Sequence, residues 1–300
     1  PAFGYFRPAE EYYNSIIKWQ KNHFGVTGLT KEHIGYENGV HGFITSAVQV
    51  LSEPGDGILL HSPFYLGFRE DIEGLGRTSV YSPLIKDDNG IWRMDYEDMD
   101  RKLKENHIHL AIFCSPHNPS GRVWERWELE KAMQVYEANA CYVISDEIWA
   151  DLTFSGHHHI PTQMVNDWAK EHVAAAYAPS KTFNLAGLIG SFHIIYSRYL
   201  RDRICSHANA THYNEMNVLS MHALIGAYQS QGAEWLEELR AVLEENARYA
   251  VDFIRNNFSG VESASPQGTY MIFLDCTEYC AKTGRTIDEV LKAGWKKGVG

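Results

Sequence analysis

The sequence predicts an α/β fold, a mainly parallel central sheet sandwiched by helices, with part of a smaller α+β domain after it. Three observations carry this. Short apolar, β-rich runs alternate with longer segments of helical period, the pattern of a sheet covered by helices on its faces. Composition is ordinary for a globular protein, 44% hydrophobic and 22% charged, which leaves ample material for a core. And at 300 residues the chain exceeds the usual single domain, so one large domain plus part of a second is expected.

Taken in order, Ala9 to Phe24 reads as an aromatic-rich amphipathic helix. Gly39 to Glu53 reads as a helix that opens on a glycine-containing turn and stops at Pro54-Gly55-Asp56-Gly57, a strong turn signal. Ile58 to His61 is a short buried strand, followed by a helix near Tyr65 to Leu75. Ile108 to Ser115 is an apolar run stopped by Pro116; Glu125 to Asn139 has helical charge patterning; Cys141 to Ser145 is a further buried strand. Val173 to Tyr177 and Ser191 to Tyr196 are strands flanking a loop that holds Lys181. Met216 to Ser230 is helical, and Gly232 to Phe258 supports one long helix or two with a kink. Thr269 to Leu274 is expected as a strand of the second domain and Ile287 to Lys297 as its helix. The division predicted is residues 1–235 for the large domain and 236–300 for part of the small one. The chain starts at Pro1 and stops where a strand is expected, so both ends read as cut.

Charge narrows the partners. With 27 Lys and Arg against 38 Asp and Glu, the net charge of −11 repels a phosphate backbone, and no basic patch offsets it. No apolar run reaches the length of a membrane span, and no secretory leader is recognisable. Five scattered cysteines suit reduced thiols in a cytoplasmic protein rather than a disulfide framework or a zinc site. His157-His158-His159 looks metal-like, but consecutive residues cannot converge on one ion, and a solvated loop is expected. Trp124 and Trp127 are expected to pack on one helix face.

Ligands of open α/β sheets bind beyond the carboxyl ends of the strands, and polar residues stand at three such ends here. Asn118 follows Ile108 to Ser115, in a segment stiffened by Pro116 and Pro119. Asp146 directly follows Cys141 to Ser145, where a buried carboxylate is costly unless paired; a pyridinium nitrogen is a suitable partner. Lys181 follows Val173 to Tyr177, where apolar surroundings disfavour its charged form and expose a nucleophilic amine, with the Ser180 hydroxyl beside it for an anion. A fourth element is Asn38-Gly39-Val40-His41-Gly42, whose free N–H groups at a helix start suit an anion. Each alone is weak: an Asn-Pro turn and a chance Ser-Lys pair explain the first and third better, and a helix cap or surface salt bridge would serve for Asp146.

Together, in this order, they resemble the class I/II aminotransferases of the pyridoxal-phosphate fold type I. The similarity is greater still to the cystathionine β-lyase-like (MalY/PatB) C–S lyase subgroup. The stretches that carry it are ENGVHGFITSAV, EPGDGILLHSPFY, CSPHNPSGRVW, VISDEIWADL, APSKTFNLAGLIG and PQGTYMIFLDC, spread over essentially the whole chain. The resemblance implies pyridoxal 5'-phosphate as cofactor and a homodimer that shares its sites. Lys181 would hold the cofactor covalently and move protons at the substrate α-carbon. Asp146 would pair with the ring nitrogen, Asn118 with the ring hydroxyl, and Tyr65 would stack on the ring. Val40 and His41 amides and Ser180 would hold the phosphate, and Tyr5 would reach the phosphate of the other subunit.

Two departures tilt the implied activity toward the lyase. Trp149 stands where many aminotransferases have a tyrosine, and Asn184 to Leu188 lacks the basic residue that often binds phosphate. The family's arginine for the substrate carboxylate would lie past Gly300. The expected reaction is β-elimination from cystathionine or a related L-cysteine S-conjugate; the rivals are an aminotransferase and a regulatory protein without turnover.

Overall fold

The computed structural model describes Gly4 and residues 6–298. Among these residues nine strands are formed: β1 Ile34–Asn38, β2 Gly57–Ser62, β3 Thr78–Pro83, β4 Ile85–Lys86, β5 Trp92–Arg93, β6 Leu110–Cys114, β7 Tyr142–Asp146, β8 Val173–Tyr177 and β9 Gly190–Ile194. Seven make one sheet in the order β1-β9-β8-β7-β6-β2-β3, while β4 and β5 pair as a small antiparallel ribbon. Strands β3, β2, β6, β7 and β8 run parallel. Strand β9 opposes both its neighbours, β8 and β1, so β1 points the same way as the parallel set.

Eleven α-helices accompany them among the described residues: α1 Glu10–Phe24, α2 Gly39–Leu51, α3 Leu66–Gly74, α4 Tyr96–Glu105, α5 Arg126–Ala138, α6 Asp167–His172, α7 Arg198–Thr211, α8 Val218–Ala227, α9 Ser230–Asn257, α10 Thr277–Thr283 and α11 Ile287–Lys296. The alternation of side chains along each strand divides the core between two faces. Leu59, Ala111, Phe113 and Val143 pack with Met99 and Leu103 of α4 and Leu129, Met133 and Tyr136 of α5. Ile58, Leu60, Leu110, Ile112 and Ile144 pack on the other side with Ile16 of α1, Phe43 and Ala47 of α2, and Leu200 of α7. Because both faces are covered, the strands read as unbroken apolar runs, and β8 is buried throughout.

Gly25, in the left-handed region at φ 69°, ends α1 by donating its N–H to the Lys21 carbonyl. The segment from Gly232 to Phe258 is one helix, α9, rather than a kinked pair. The strand expected over residues 269–274 does not form. Thr269 adopts φ 66° and gives its N–H to the Leu152 carbonyl, so the backbone turns out of a ladder. Only isolated bridges remain, Thr153 with Gly268 and Glu262 with Asp275.

Candidate active site

The strand directions bring one set of carboxyl ends to a single sheet edge. Cys114 lies opposite Asp146 in the β6–β7 register, and Asp146 opposite Ala176 in β7–β8. Asn118 therefore follows one strand end, Asp146 closes the next, and Lys181 follows the third. Tyr65 follows β2, the neighbour of β6, and β1 runs the same way, so α2 starts at this edge too.

Helix α2 begins at Gly39, whose φ of 76° suits glycine, and the Asn38 side chain makes no capping bond. The first-turn N–H groups, those of Val40 and His41 among them, thus have no intrahelical acceptor. No acidic side chain stands in that turn to neutralise them. Asn118 is buried, and its side-chain amide finds no hydrogen-bond partner among the described residues. Asp146 is buried, and among the described residues its carboxylate accepts a single hydrogen bond, from the Ile148 N–H at 3.1 Å. Burial pushes its carboxyl up to about 6, against the pull of that N–H and of the His41 and Lys181 charges. His41 and Lys181 are thus both within electrostatic reach of Asp146. The Lys181 ammonium lies 5.5 Å from the centre of the buried Trp149 ring. Trp149, the departure from the common tyrosine, thus forms an aromatic floor beside the amine, and Tyr270 packs edge-on against it at 4.6 Å.

The loop bearing Lys181 is fixed from behind. Thr182 donates its hydroxyl to Asp151 at 2.9 Å, and the Trp19 indole donates to the other Asp151 oxygen at 2.8 Å. Arg240 of α9 donates to the Asp151 carbonyl at 2.7 Å. Phe183 stacks on Trp235 at 5.4 Å. The loop's turns close through Phe183 N–H to Pro179 and Leu185 N–H to Ser180, leaving the Ser180 hydroxyl without a partner among the described residues.

Four expectations need correction or limits. Glu147, which next to Asp146 reads in the sequence as no more than a helix cap or a surface salt bridge, is instead buried and accepts from Ser145, His159, the Thr162 N–H and Tyr177 at 2.6–2.9 Å. His159 is accordingly buried with it, while His158 stays exposed, so the His triplet is not one solvated loop. Trp124 precedes α5 and is buried, donating to the Cys114 carbonyl; Trp127 is on the helix and exposed, so the two share no face. Tyr5 lies outside the described residues. Sequence reasoning missed Asp151, whose only signal was a third acid within six residues of a buried strand end, and the pairing of His41 with Asp71. Open grooves elsewhere, such as that bounded by Lys86, Arg122 and Arg255, contain none of Asn118, Asp146 and Lys181. Among the described residues no His, Cys, Asp and Glu cluster suits a metal ion.

The unpartnered groups at this edge are an anion cradle, an amide, a carboxylate and an amine, the donor set that a phosphorylated pyridine aldehyde requires. Comparison with known proteins agrees. The family model for aminotransferase class I and II matches residues 3–293. The chain is 34% identical over 292 residues to cystathionine beta-lyase PatB of Bacillus subtilis (strain 168), covering 97% of this chain and 75% of that protein. To protein MalY of Escherichia coli (strain K12) it is 33% identical over 279 residues, covering 91% and 69%. The crystal structure of the PLP-bound C-S lyase from Staphylococcus hominis matches with a TM-score of 0.86 at 31% identity, over 94% of this chain and 71% of that one. Similarity of this extent, over nearly every element described above, makes the chain a member of the class I and II aminotransferase family.

Proposed function

We propose that this protein is a pyridoxal-phosphate-dependent C–S β-lyase, cleaving cystathionine or a related L-cysteine S-conjugate to a thiol, pyruvate and ammonia. The observation that carries it is the meeting of Asn118, Asp146 and Lys181 at one sheet edge, in a chain similar to PatB and MalY. Pyridoxal phosphate, when bound, supplies the electron withdrawal that makes the substrate α-proton acidic. Lys181 holds the cofactor and takes that proton, which lets the thiolate leave from the β-carbon. Asp146 keeps the ring nitrogen protonated; its raised pKa fits a carboxyl whose charge awaits a cationic partner. Asn118 would bond the ring hydroxyl, and Tyr65 would stack on the ring. The Val40 and His41 amides and the Ser180 hydroxyl hold the phosphate. The site belongs to a large domain of residues 1–235, followed by residues 236–300 of a small one, and the working enzyme is a homodimer in the cytoplasm.

The test is a product assay on cofactor-loaded protein with cystathionine. Stoichiometric pyruvate and thiol support the lyase. Amino transfer to a 2-oxo acid without pyruvate release would replace it with an aminotransferase, and neither product would leave a protein without turnover. Borohydride reduction and peptide mapping should place the label on Lys181.

A further inference from the structure

The helix start that cradles the anion carries a side chain for which that role has no use. His41 Nδ1 lies 2.7 Å from Asp71 Oδ2, and its Nε2 lies 3.3 Å from the Tyr65 hydroxyl. The two rings sit 5.5 Å apart. They close over the bare backbone of Gly67: a Cβ placed there would overlap both His41 and Tyr65. Phe68 meets Tyr65 edge-on at 5.5 Å from the other side. Three of these contacts, one polar, one steric and one between aromatic rings, converge on the Tyr65 ring at the end of β2, and Asp71 holds the histidine that makes the polar one.

We propose that His41, held by Asp71, is a positioning residue that fixes the Tyr65 ring over the site and sets the direction of its hydroxyl. The inference rests on the reading of Tyr65 as the residue against the cofactor ring. A carboxylate only accepts, so Nδ1 keeps its proton toward Asp71. With the His41 ring neutral, Nε2 is an acceptor and the Tyr65 hydroxyl donates to it. With the ring protonated, Nε2 donates and the Tyr65 O–H, still protonated, turns toward the site. The hydrogen bond to Asp71 holds the ring protonated to higher pH than an ordinary histidine; burial opposes this, and the Asp71, Asp146 and Glu70 charges add to it. Those three acids and Tyr65 are the groups that face His41 from α3 and β7, and the first turn of α2 adds no other charge. Burial and the same acids hold the Tyr65 phenol up, so it keeps its proton throughout.

The experiment compares His41→Ala, His41→Gln, Asp71→Asn and Gly67→Ala with the parent holoenzyme. Its readouts are the induced circular dichroism of bound pyridoxal phosphate and the pH profile of β-elimination. Gly67→Ala keeps every polar group and adds helix propensity, so its effect isolates the displacement of the rings. His41→Ala and Gly67→Ala should lower the dichroism at full cofactor occupancy and reduce kcat about tenfold, as expected when a contact is misplaced. His41→Gln, with an amide where Nε2 was, should restore the dichroism and remove the alkaline step in the profile. Parent dichroism in both His41→Ala and Gly67→Ala overturns the proposal. A second arm needs no cofactor: NMR titration of His41 should drag the Tyr65 ring signals with it, at a midpoint lowered by Asp71→Asn. Tyr65 signals indifferent to His41 overturn the proposal here as well. Failure of the parent protein to take up pyridoxal phosphate instead overturns the proposed function, and the cofactor-free titration still decides for or against His41.

Discussion

Asp146 and Glu147 are neighbours at the end of one strand, both buried, and the fold treats them in opposite ways. Glu147 accepts four hydrogen bonds, from Ser145, His159, Thr162 and Tyr177, and its carboxyl is drawn below the ordinary range by His159 in spite of its burial. Asp146 accepts one, and burial pushes it up to about 6. A buried acid with every lone pair engaged holds structure together; one left short of partners is kept for something the chain itself does not provide. The pair separates fold from site within two residues.

Four substitutions test that separation. Largest in effect, Lys181→Ala should cut exchange of the substrate α-proton by roughly 10⁴-fold or more while the melting curve stays within about 1 kcal/mol, because acid–base assistance alone is worth 10²–10⁴. Exchange measured by NMR in deuterated buffer, at parent rate, would remove Lys181 from the site. Next, Glu147→Ala leaves His159 and Tyr177 buried without their acceptor and should cost about 3–5 kcal/mol in urea unfolding. A midpoint unchanged from the parent would erase the contrast from the structural side.

Asp146→Asn should do the reverse. It should weaken cofactor retention, yet leave the cofactor-free protein as stable as the parent or more so above pH 6. The sign follows from linkage: with the folded value near 6 and the ordinary one 3.8, the folded state holds the proton more tightly. Raising the pH across that window therefore costs folded stability, on the order of 3 kcal/mol at most. Glu147 has the opposite sign, since its lowered value gives stability above the usual carboxylate range that is lost as pH falls. Denaturation curves of Asp146→Asn and parent, read at pH 4 and pH 7, should converge at the acid end; equal gaps at both would refute the argument. Smallest, Thr182→Val removes one hydroxyl from Asp151 and should cost about 1 kcal/mol of stability, with kcat reduced and KM unmoved because the loop of Lys181 loses its tether. A rise in KM alone would place Thr182 in substrate binding instead.

Legibility in the sequence follows the same division. Asn118, Asp146 and Lys181 stood out because each is polar and comes just after an apolar run, a local signal that needs no knowledge of neighbours. The partners of Glu147 lie up to 30 residues away and meet it only through strand order; Asp151 likewise joins Trp19 to Thr182. Strand β1 was invisible because Glu37 sits in it, fully buried and pushed up to about 8 by desolvation, where an apolar residue was to be expected. Trp124 and Trp127 show the converse error: their spacing fits one helix face, but α5 begins between them.

The place of β1 has a consequence in time. Ile34 pairs with Ile194, and β1 meets the sheet through β9 alone. On a ribosome adding 5–20 residues per second, β1 waits roughly 8 to 30 seconds for β9 to be made. For that interval α2, with Phe43, Ile44 and Val48 destined for complete burial, has no finished sheet to cover. The proposed anion cradle at the start of α2 is therefore synthesised early in this chain and set in place late. Uptake of a phosphate ligand would report that β9 has reached β1.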